Sequence, residues 1–275
     1  MFENYIRKEV IIMKKPTMGI QLYTLRDYIK TAEDFDKTLA RLKKMGVKDV
    51  QISGIGDIPA ETQKEILDKY DMKVCVTHKP IERMDNDIDA LMAEHKIIGC
   101  DAIGIGSAPS ESRGNVKRVT EFIEHAEKIG AKMKENGFTF NYHNHAFEYF
   151  RLDDSKHTMM DYLINNTDKD LFNFIPDVGW MHFAQQNPAE ELRRLAGRVK
   201  VIHFKDYIFD EEDRRKFVPL GQGLVNLEEC YKVACELEIP YIMYEHDDNW
   251  PDGDPFKGCE MSWEYMMKLD ASYSE

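Results

Sequence analysis

The sequence has few cysteines, and their spacing suggests neither a disulfide framework nor a cysteine-rich metal site. Its 275 residues include five cysteines, none of them in a C-x-x-C pair. Such an odd, scattered set is typical of reduced thiols in a cytoplasmic protein. No apolar run approaches the ~18 residues that a membrane span requires. Residues 1–16 contain apolar residues, but charged residues interrupt them, unlike in a signal peptide. We therefore expect a cytoplasmic protein without a membrane partner.

Positive charge is also scarce. The chain carries 37 Lys and Arg against 50 Asp and Glu, a formal net charge of -13 at pH 7. A protein that binds nucleic acid or an anionic membrane needs clustered Lys and Arg, and no such cluster is present. The sequence also lacks low-complexity segments and a domain linker. We expect no nucleic-acid partner.

The chain does contain a regular alternation of strand and helix patterns. Apolar runs of strand length predict strands over residues 18–23, 47–52, 72–78, 102–106, 139–143, 174–177, 201–203 and 240–245. Patterns of helical period follow them over residues 32–45, 60–70, 86–98, 116–136, 157–166, 188–195, 227–237 and 259–269. Residues 205–226 and 247–257 are predicted to be long loops. Eight such units allow a parallel sheet to close into a barrel with the helices outside.

We therefore predict an α/β protein, a single (β/α)8 TIM barrel over residues 17–275, preceded by an N-terminal extension over residues 1–16. Within that extension, Met13 is an alternative start to Met1. An open, doubly wound sheet would show the same alternation. No Gly-rich dinucleotide fingerprint follows the first strand, and this disfavours the open sheet.

Four of the predicted strands end in side chains that bind metal ions. These residues are His143, Asp177, His203 and Glu245. In a closed barrel the carboxyl ends of all strands meet at one rim, so the four side chains would converge. Two imidazoles and two carboxylates suit one divalent ion, with Mn2+ as the first choice and Zn2+, Fe2+, Co2+ or Mg2+ as alternatives. Any one of the four could instead be a hydrogen-bonded polar residue at a strand end, but four in succession are harder to explain in that way.

Six short motifs occur in order along most of the chain. They are Gly19-Ile20-Gln21-Leu22-Tyr23-Thr24-Leu25-Arg26, Tyr142-His143-Asn144-His145, Asp177-Val178-Gly179-Trp180, His203-Phe204-Lys205-Asp206, Leu220-Gly221-Gln222-Gly223 and Tyr244-Glu245. With these motifs the chain resembles the xylose-isomerase-like barrel superfamily, in particular its sugar (phosphate) isomerase/epimerase branch. The resemblance extends from about Gly19 to Leu269.

This resemblance implies a metal-dependent isomerase or epimerase of a sugar, keto-sugar or sugar phosphate, which abstracts a proton next to a metal-bound carbonyl. In the family the rim ligands are Glu, Asp, His and Glu. Asp177, His203 and Glu245 match that set, but His143 stands where the epimerases have Glu. In those epimerases the first and the last of these ligands, both glutamates, also exchange protons on opposite faces of one carbon. Because His143 replaces one of them, the resemblance supports a two-base epimerisation less well in this chain. The alternative is a lyase with the same fold and the same metal site, either an inosose-type dehydratase or an enzyme that eliminates a group from a 3-keto-glycoside.

Further polar residues near the same rim are candidates for catalysis. His145 lies two residues beyond His143 and so on the same strand face; it could be the base or could only orient a ligand. Glu148 and Glu245 are the other candidate bases. Lys205, two residues beyond His203, could bind a substrate oxyanion or be a solvated loop lysine.

Three residues are candidates for contacts with a carbohydrate substrate. His78 ends the third strand, Tyr23 ends the first, and Trp180 could stack on a sugar ring or simply pack. Two other functions remain as hypotheses: a DNA-repair endonuclease of the same superfamily, which the net charge argues against, and a non-enzymatic sugar-binding subunit. We expect a small-molecule carbohydrate substrate, and a homo-oligomer or a partner subunit is compatible with the two long loops.

Overall fold

Eight short parallel strands form the centre of the protein. The computed structural model describes residues 14–153 and 156–273. The central strands are β1 (Thr17–Gln21), β2 (Asp49–Ile52), β3 (Lys73–His78), β4 (Ala102–Ile105), β5 (Thr139–His143), β6 (Asn173–Ile175), β7 (Val201–Phe204) and β10 (Tyr241–Tyr244). Two further strands, β8 (Asp206–Phe209) and β9 (Arg215–Val218), form an antiparallel hairpin.

The eight parallel strands form a nearly closed barrel. Their order is β6-β5-β4-β3-β2-β1-β10-β7, so only the β6–β7 edge is not a continuous ladder. Two parallel bridges, Phe174 with Val199 and Asp177 with His203, join this edge. The His203 N–H donates to the Pro176 carbonyl at 2.8 Å. The predicted TIM barrel is therefore confirmed.

Helices connect the strands and pack on their outer faces. They are α1 (Ala32–Met45), α2 (Ala60–Lys69), α3 (Ile81–Ile98), α4 (Val116–Glu135), α5 (Met159–Asn166), α6 (Val178–Phe183), α7 (Pro188–Arg194), α8 (Leu227–Glu236) and α9 (Pro255–Ser272). The bounds of α1 follow from its caps. The Thr31 side chain accepts from the Asp34 N–H, and Gly46, with φ of 92°, ends the helix in the left-handed conformation. None of the helices in the described part of the chain combines the length and the hydropathy that a membrane-spanning helix requires.

The two-residue period of each strand decides which side chains face the barrel interior. On β5, Phe140 and Tyr142 pack among the outer helices, so His143 takes the opposite face. On β7 and β10, Ile202 and Tyr244 are likewise in the outer core, whereas Val201, Met243 and Ile175 form a separate inner cluster. Continuing the same alternation by two residues beyond Val201 and Met243 brings His203 and Glu245 to the inner rim. Packing of the apolar positions thus orients the polar strand ends.

The structure differs from the sequence predictions in several connections. The predicted loop over residues 205–226 contains the β8–β9 hairpin, and α6 occupies a stretch for which no helix was predicted. Helix α3 begins at Ile81, earlier than predicted. The predicted start at residue 86 lies next to an interruption of the helix at Asp87, where φ is -159°. Helix α9 begins at Pro255 instead of residue 259. Most of the predicted N-terminal extension, residues 1–13 including Met13, lies outside the described residues, and residues 14–16 precede β1.

The Gly-rich turn after the hairpin has a structural explanation. Asp206 Oδ2 accepts hydrogen bonds from the Gly221 and Gly223 N–H groups at 3.0 and 2.9 Å, and Oδ1 accepts from the Val225 N–H at 3.1 Å. A Cβ on Gly223 would lie 2.1 Å from Asp206 Oδ1, so only glycine fits there. This carboxylate ties the turn that follows the hairpin to the start of β8, next to the rim.

Candidate metal centre

The four side chains predicted as metal ligands converge at the carboxyl end of the barrel. His143, Asp177, His203 and Glu245 are all buried, and one ligand atom from each lies within 4.8 Å of the others. They come from four successive strand ends, on β5, β6, β7 and β10. The geometry thus brings together residues separated by up to about a hundred positions in the sequence.

Hydrogen bonds fix the orientation of His143 and Asp177. The His143 ring places Nδ1 3.0 Å from the Gly106 carbonyl, which can only accept, so Nδ1 carries the proton. The other nitrogen, Nε2, then faces Asp177 Oδ2 at 3.4 Å and Glu245 Oε2 at 3.7 Å. Asp177 also begins α6, because its Oδ1 accepts from the Trp180 N–H at 2.9 Å. One oxygen of Asp177 therefore caps a helix while the other faces the site.

His203 and Glu245 provide the strongest indication of a bound cation. His203 Nε2 lies 2.7 Å from Gln51 Oε1, so the proton of the neutral ring is on Nε2. His203 Nδ1 then turns its lone pair toward Glu245 Oε2 at 2.8 Å. Both atoms are buried and make no other hydrogen bond among the residues that the structure describes, although the Lys205 ammonium lies 3.2 Å from Glu245 Oε2. Two acceptors at ion-pair distance without a shared proton are stabilised by a positive ion between them, so these residues fit a divalent metal.

Lys205 places a permanent charge beside the same carboxylates. Its Nζ lies 3.1 Å from Asp177 Oδ2, 3.2 Å from Glu245 Oε2 and 2.9 Å from Asp247 Oδ2. Burial alone would lower the pKa of Lys205, but the three carboxylates outweigh it and raise that pKa. Burial likewise opposes ionisation of Asp177 and Glu245, yet Lys205 and the imidazoles hold their pKa values below the usual range. Lys205 is thus a buried cation and not a solvated loop residue.

His145 lies beside the four predicted ligands and lines the adjoining cavity. Its ring centroid is 4.9 Å from that of His143 and 5.3 Å from that of Trp180. Burial, and then the proximity of His143 and Lys205, lowers the pKa of His145 to about 3. The low pKa keeps the imidazole neutral but also makes it a weak base. The position of His145, and not its basicity, therefore matches the predicted base.

Glu148 lies behind His145 and, among the described residues, is not part of the cavity wall. Its Oε1 accepts from the Tyr142 hydroxyl at 2.6 Å, and its Oε2 accepts from the His145 backbone N–H at 2.8 Å. Burial raises the pKa of Glu148 to about 7. These contacts connect Glu148 to the backbone that carries His145, and its carboxylate faces away from the cavity.

A cavity of about 990 Å³ adjoins the cluster, and two of the four predicted ligands, His143 and Glu245, line it. Two of the three predicted substrate contacts, Tyr23 and His78, line it, together with Lys205, Glu245 and His145. Its wall on the side of β1 to β4 includes Arg26, Ile55, Lys79, Pro80, Ile81, Ser107 and Pro109. The volume lies at the upper end of the range for small-molecule sites.

Trp180, the third predicted substrate contact, packs in the wall behind His145. Its ring is 5.7 Å from that of Phe217, and Lys205 Nζ and the Arg215 guanidinium lie 5.3 and 4.3 Å from its centroid. Among the described residues it does not line the cavity. Its position thus matches the packing alternative for this residue.

The sequence prediction missed two residues of the site. Gln51 on β2 contacts both His203 and His78, and Asp247, two residues beyond Glu245, contacts Lys205. The alternation that selected His145 from His143 also selects Asp247 from Glu245, so this signal was present. A glutamine within a strand carries no comparable signal, because its partners are distant in the sequence.

Comparison with known proteins agrees with this architecture. The family model described as xylose isomerase-like TIM barrel matches residues 39–255. An inosose dehydratase of Clostridium beijerinckii is 25% identical over 156 residues, which cover 51% of this chain and 49% of that protein. An inosose dehydratase of Clostridium perfringens is 22% identical over 273 residues, covering 85% of this chain and 89% of that protein. The first match spans about half the length of that relative.

Solved structures show the same fold at low sequence identity. A sugar phosphate isomerase/epimerase from Parabacteroides distasonis has a TM-score of 0.76 and 23% identity, covering 94% of this chain and 98% of that one. An L-ribulose 3-epimerase has a TM-score of 0.72 and 12% identity, covering 94% and 96%. A Mycobacterium smegmatis barrel protein in complex with magnesium has a TM-score of 0.66 and 15% identity, covering 92% and 96%.

Proposed function

This chain belongs to the xylose isomerase-like TIM barrel family, and on that premise we propose that it is a metal-dependent enzyme that removes the proton next to a carbonyl of a sugar or polyol-derived ketone. The observation that carries this proposal is the 2.8 Å approach of His203 Nδ1 to Glu245 Oε2 inside a buried cluster. Two buried acceptors at that distance are costly. The Lys205 ammonium, 3.2 Å from Glu245 Oε2, offsets part of this cost, and a metal ion bound by both atoms would offset the rest.

Four atoms of this chain would hold the ion. They are His143 Nε2, Asp177 Oδ2, His203 Nδ1 and Glu245 Oε2. A mixed nitrogen and oxygen set suits several divalent metals, and Mn2+ is our first choice. A Mycobacterium smegmatis protein of the same fold is in complex with magnesium, and this supports a divalent ion in the present protein. When bound, the ion supplies Lewis acidity that makes the neighbouring carbon acid easier to ionise.

The protein's own residues would then carry the proton and the charge. We assign the role of base to His145 from its position in the cavity wall beside the predicted ligands. Burial lowers its pKa to about 3, so the ring is neutral but only weakly basic. Glu148 holds the His145 backbone through its N–H. Lys205 stays protonated and lines the cavity, where its ammonium would stabilise negative charge that develops on a substrate oxygen. Tyr23 and His78 would contact substrate hydroxyls along the same wall.

Two reactions share this first step. In an isomerase or epimerase, the proton taken by His145 returns to carbon. In a lyase, the carbon–oxygen bond to a β-substituent breaks, a double bond forms, and the same proton leaves with the oxygen as water or an alcohol.

His143 favours a reaction with one base. In the epimerases that the chain resembles, a second glutamate at this position faces the opposite side of the substrate carbon. Here the His143 ring is fixed by the Gly106 carbonyl and offers only Nε2 to the site. The match to a protein named inosose dehydratase, which covers 85% of this chain and 89% of that protein, supports elimination as the second candidate.

Deuterium exchange distinguishes the two reactions. The Mn2+-loaded protein would be incubated in D2O with a panel of keto-sugars and inositol-type ketones and followed by NMR. Deuterium in the substrate or an isomer, without loss of water or alcohol, identifies an isomerase or epimerase. Release of water or alcohol with the absorbance of a conjugated enone identifies a lyase. Absence of exchange and of elimination across the panel, in protein shown to contain the metal, would refute the proposal.

A substitution at position 143 gives a second test. His143→Glu restores the epimerase residue but places a carboxylate against the Gly106 carbonyl, where His143 now donates. An enzyme built for one-base chemistry should lose activity, whereas an enzyme that works by two-base epimerisation should gain it. His143→Gln, which can still donate to Gly106, is the matched control for the loss of the ring.

A further inference from the structure

Gln51 is a buried polar residue at the inner rim whose role the proposed chemistry does not explain. It has 0% relative exposure and lies on β2 in register with Gln21 of β1. Its two amide atoms contact two different imidazoles. Oε1 lies 2.7 Å from His203 Nε2, and Nε2 lies 2.9 Å from His78 Nε2.

An amide gives these two contacts opposite polarity. The carbonyl oxygen only accepts, so His203 must carry its proton on Nε2. The amide nitrogen only donates, so His78 Nε2 must present a lone pair, and the proton of the neutral His78 ring is on Nδ1. The two halves of one side chain therefore select opposite tautomers in two rings whose centroids are 5.7 Å apart.

We propose that Gln51 is a positioning residue that sets both tautomers at once, so that His203 offers Nδ1 to the metal while His78 offers its Nδ1–H to a substrate oxygen. The part that concerns the metal rests on the proposed function. The tautomers themselves follow from the hydrogen bonds and hold in metal-free protein.

The two consequences lie on opposite sides of Gln51. With its proton on Nε2, His203 turns the Nδ1 lone pair toward Glu245 Oε2 at 2.8 Å. On the other side, His78 lines the cavity, and its Nδ1 has no hydrogen-bond partner among the described residues. An N–H donor held in this way would bind a carbonyl or hydroxyl oxygen of the substrate. A ligand that places an ammonium or another donor group there would find no acceptor.

The neighbouring Gln21 provides a matched comparison. It is also fully buried and lies in the paired position on the next strand. Its Oε1 accepts from the Tyr23 N–H at 3.2 Å, and its Nε2 has no partner among the described residues. A general need for a buried amide at the rim would apply to both residues, whereas control of tautomers applies only to Gln51.

Imidazole nitrogen NMR of the metal-free protein tests the tautomers directly. In protein labelled with ¹⁵N-histidine, long-range ¹H–¹⁵N correlations distinguish a protonated Nδ1 from a protonated Nε2. Assignment uses His78→Asn and His203→Asn variants. We expect the proton on Nε2 of His203 and on Nδ1 of His78. A proton on Nε2 of His78, or on Nδ1 of His203, would overturn the proposal, whether or not the protein binds a metal.

Metal affinity tests the functional consequence. Gln51→Met removes both hydrogen bonds at similar volume, and we expect its Kd for Mn2+, measured by calorimetry, to rise roughly 10–100-fold. Gln21→Met should bind Mn2+ like the parent. Equal affinities of the two variants would overturn the role of Gln51 toward the metal. If the parent protein binds no Mn2+, the proposed function fails, but the NMR experiment still decides the tautomers. The NMR experiment also decides them if Gln51→Met does not fold, because it uses the parent protein.

Discussion

Lys205 Nζ lies 3.1 Å from Asp177 Oδ2, although the two side chains are 1% and 0% exposed. The ammonium also contacts Glu245 and Asp247. A buried charge of this kind is tolerable only while its partners are present, since desolvation of an unpaired ion is expensive. Lys205 therefore links the stability of the fold to the charge state of the site.

Replacing Lys205 should destabilise the metal-free protein strongly. Lys205→Met leaves three neighbouring carboxylates without their shared cation, and we expect the free energy of unfolding to fall by about 3–5 kcal/mol. Urea unfolding in the presence of a chelator measures this. Lys132, which forms a surface ion pair with Asp89 at 3.0 Å, is the control, and Lys132→Met should cost less than about 1 kcal/mol. Similar losses in the two variants would show that the buried pairs contribute little.

Metal binding should depend on Asp177 and not on Asp247. Asp177→Asn keeps the cap on α6, since asparagine also caps helices, but removes a charged ligand. Mn2+ at about 100 times its Kd should stabilise the parent by about 2.7 kcal/mol, and a chelator should reverse this. Thermal unfolding should show that Asp177→Asn loses the stabilisation while Asp247→Asn retains it. Retention in both variants would place the metal elsewhere, and loss in both would contradict the expectation that Asp247 is not required.

Much of the fold was predictable because it depends on local patterns. The strand and helix alternation identified the barrel, and Gly46 and Gly99 end α1 and α3 where helical periodicity stops. The β8–β9 hairpin was not predicted, because its four-residue strands are short and depend on Asp206 binding a turn fifteen residues away. The short helix α6 depends in the same way on a single cap, Asp177.

The site was predictable to the extent that strand ends converge. His143, His203 and Glu245 continue the inner face of their strands, so chain order and alternation were sufficient to group them with Asp177. Gln51 could not be found in this way, since its partner His203 is 152 residues distant and glutamine is common on surfaces. The direction of Glu148, toward Tyr142 and away from the cavity, also depends on packing that the sequence does not reveal.

His145 and Glu148 should differ in their effect on turnover if His145 is the base. We expect His145→Asn to lower kcat by roughly 10²–10⁴-fold while the Kd for Mn2+ stays close to that of the parent. Glu148→Gln can still accept from the His145 N–H, so kcat should fall by less than about tenfold. Steady-state kinetics with whichever ketone shows exchange, together with calorimetry, measures both. The reverse order of the two losses would identify Glu148 as the base.

His95 should make the stability of the protein depend on pH. It lies on α3, is 1% exposed, and contacts the Leu91 carbonyl and the Thr77 hydroxyl, each at 2.7 Å. Burial lowers the pKa of His95 to about 4, whereas in the unfolded chain it is about 6.5. Between these values the unfolded chain binds the proton and the folded protein does not, so the stability from this residue is complete above pH 6.5 and falls as the pH is lowered. Between pH 6.5 and 5 the loss should be about 2 kcal/mol.

His95→Gln, which can still bond to Thr77, should remove that part of the pH dependence. Urea unfolding of metal-free protein at several pH values measures it, and an unchanged pH dependence in the variant would show that His95 takes up its proton equally in both states.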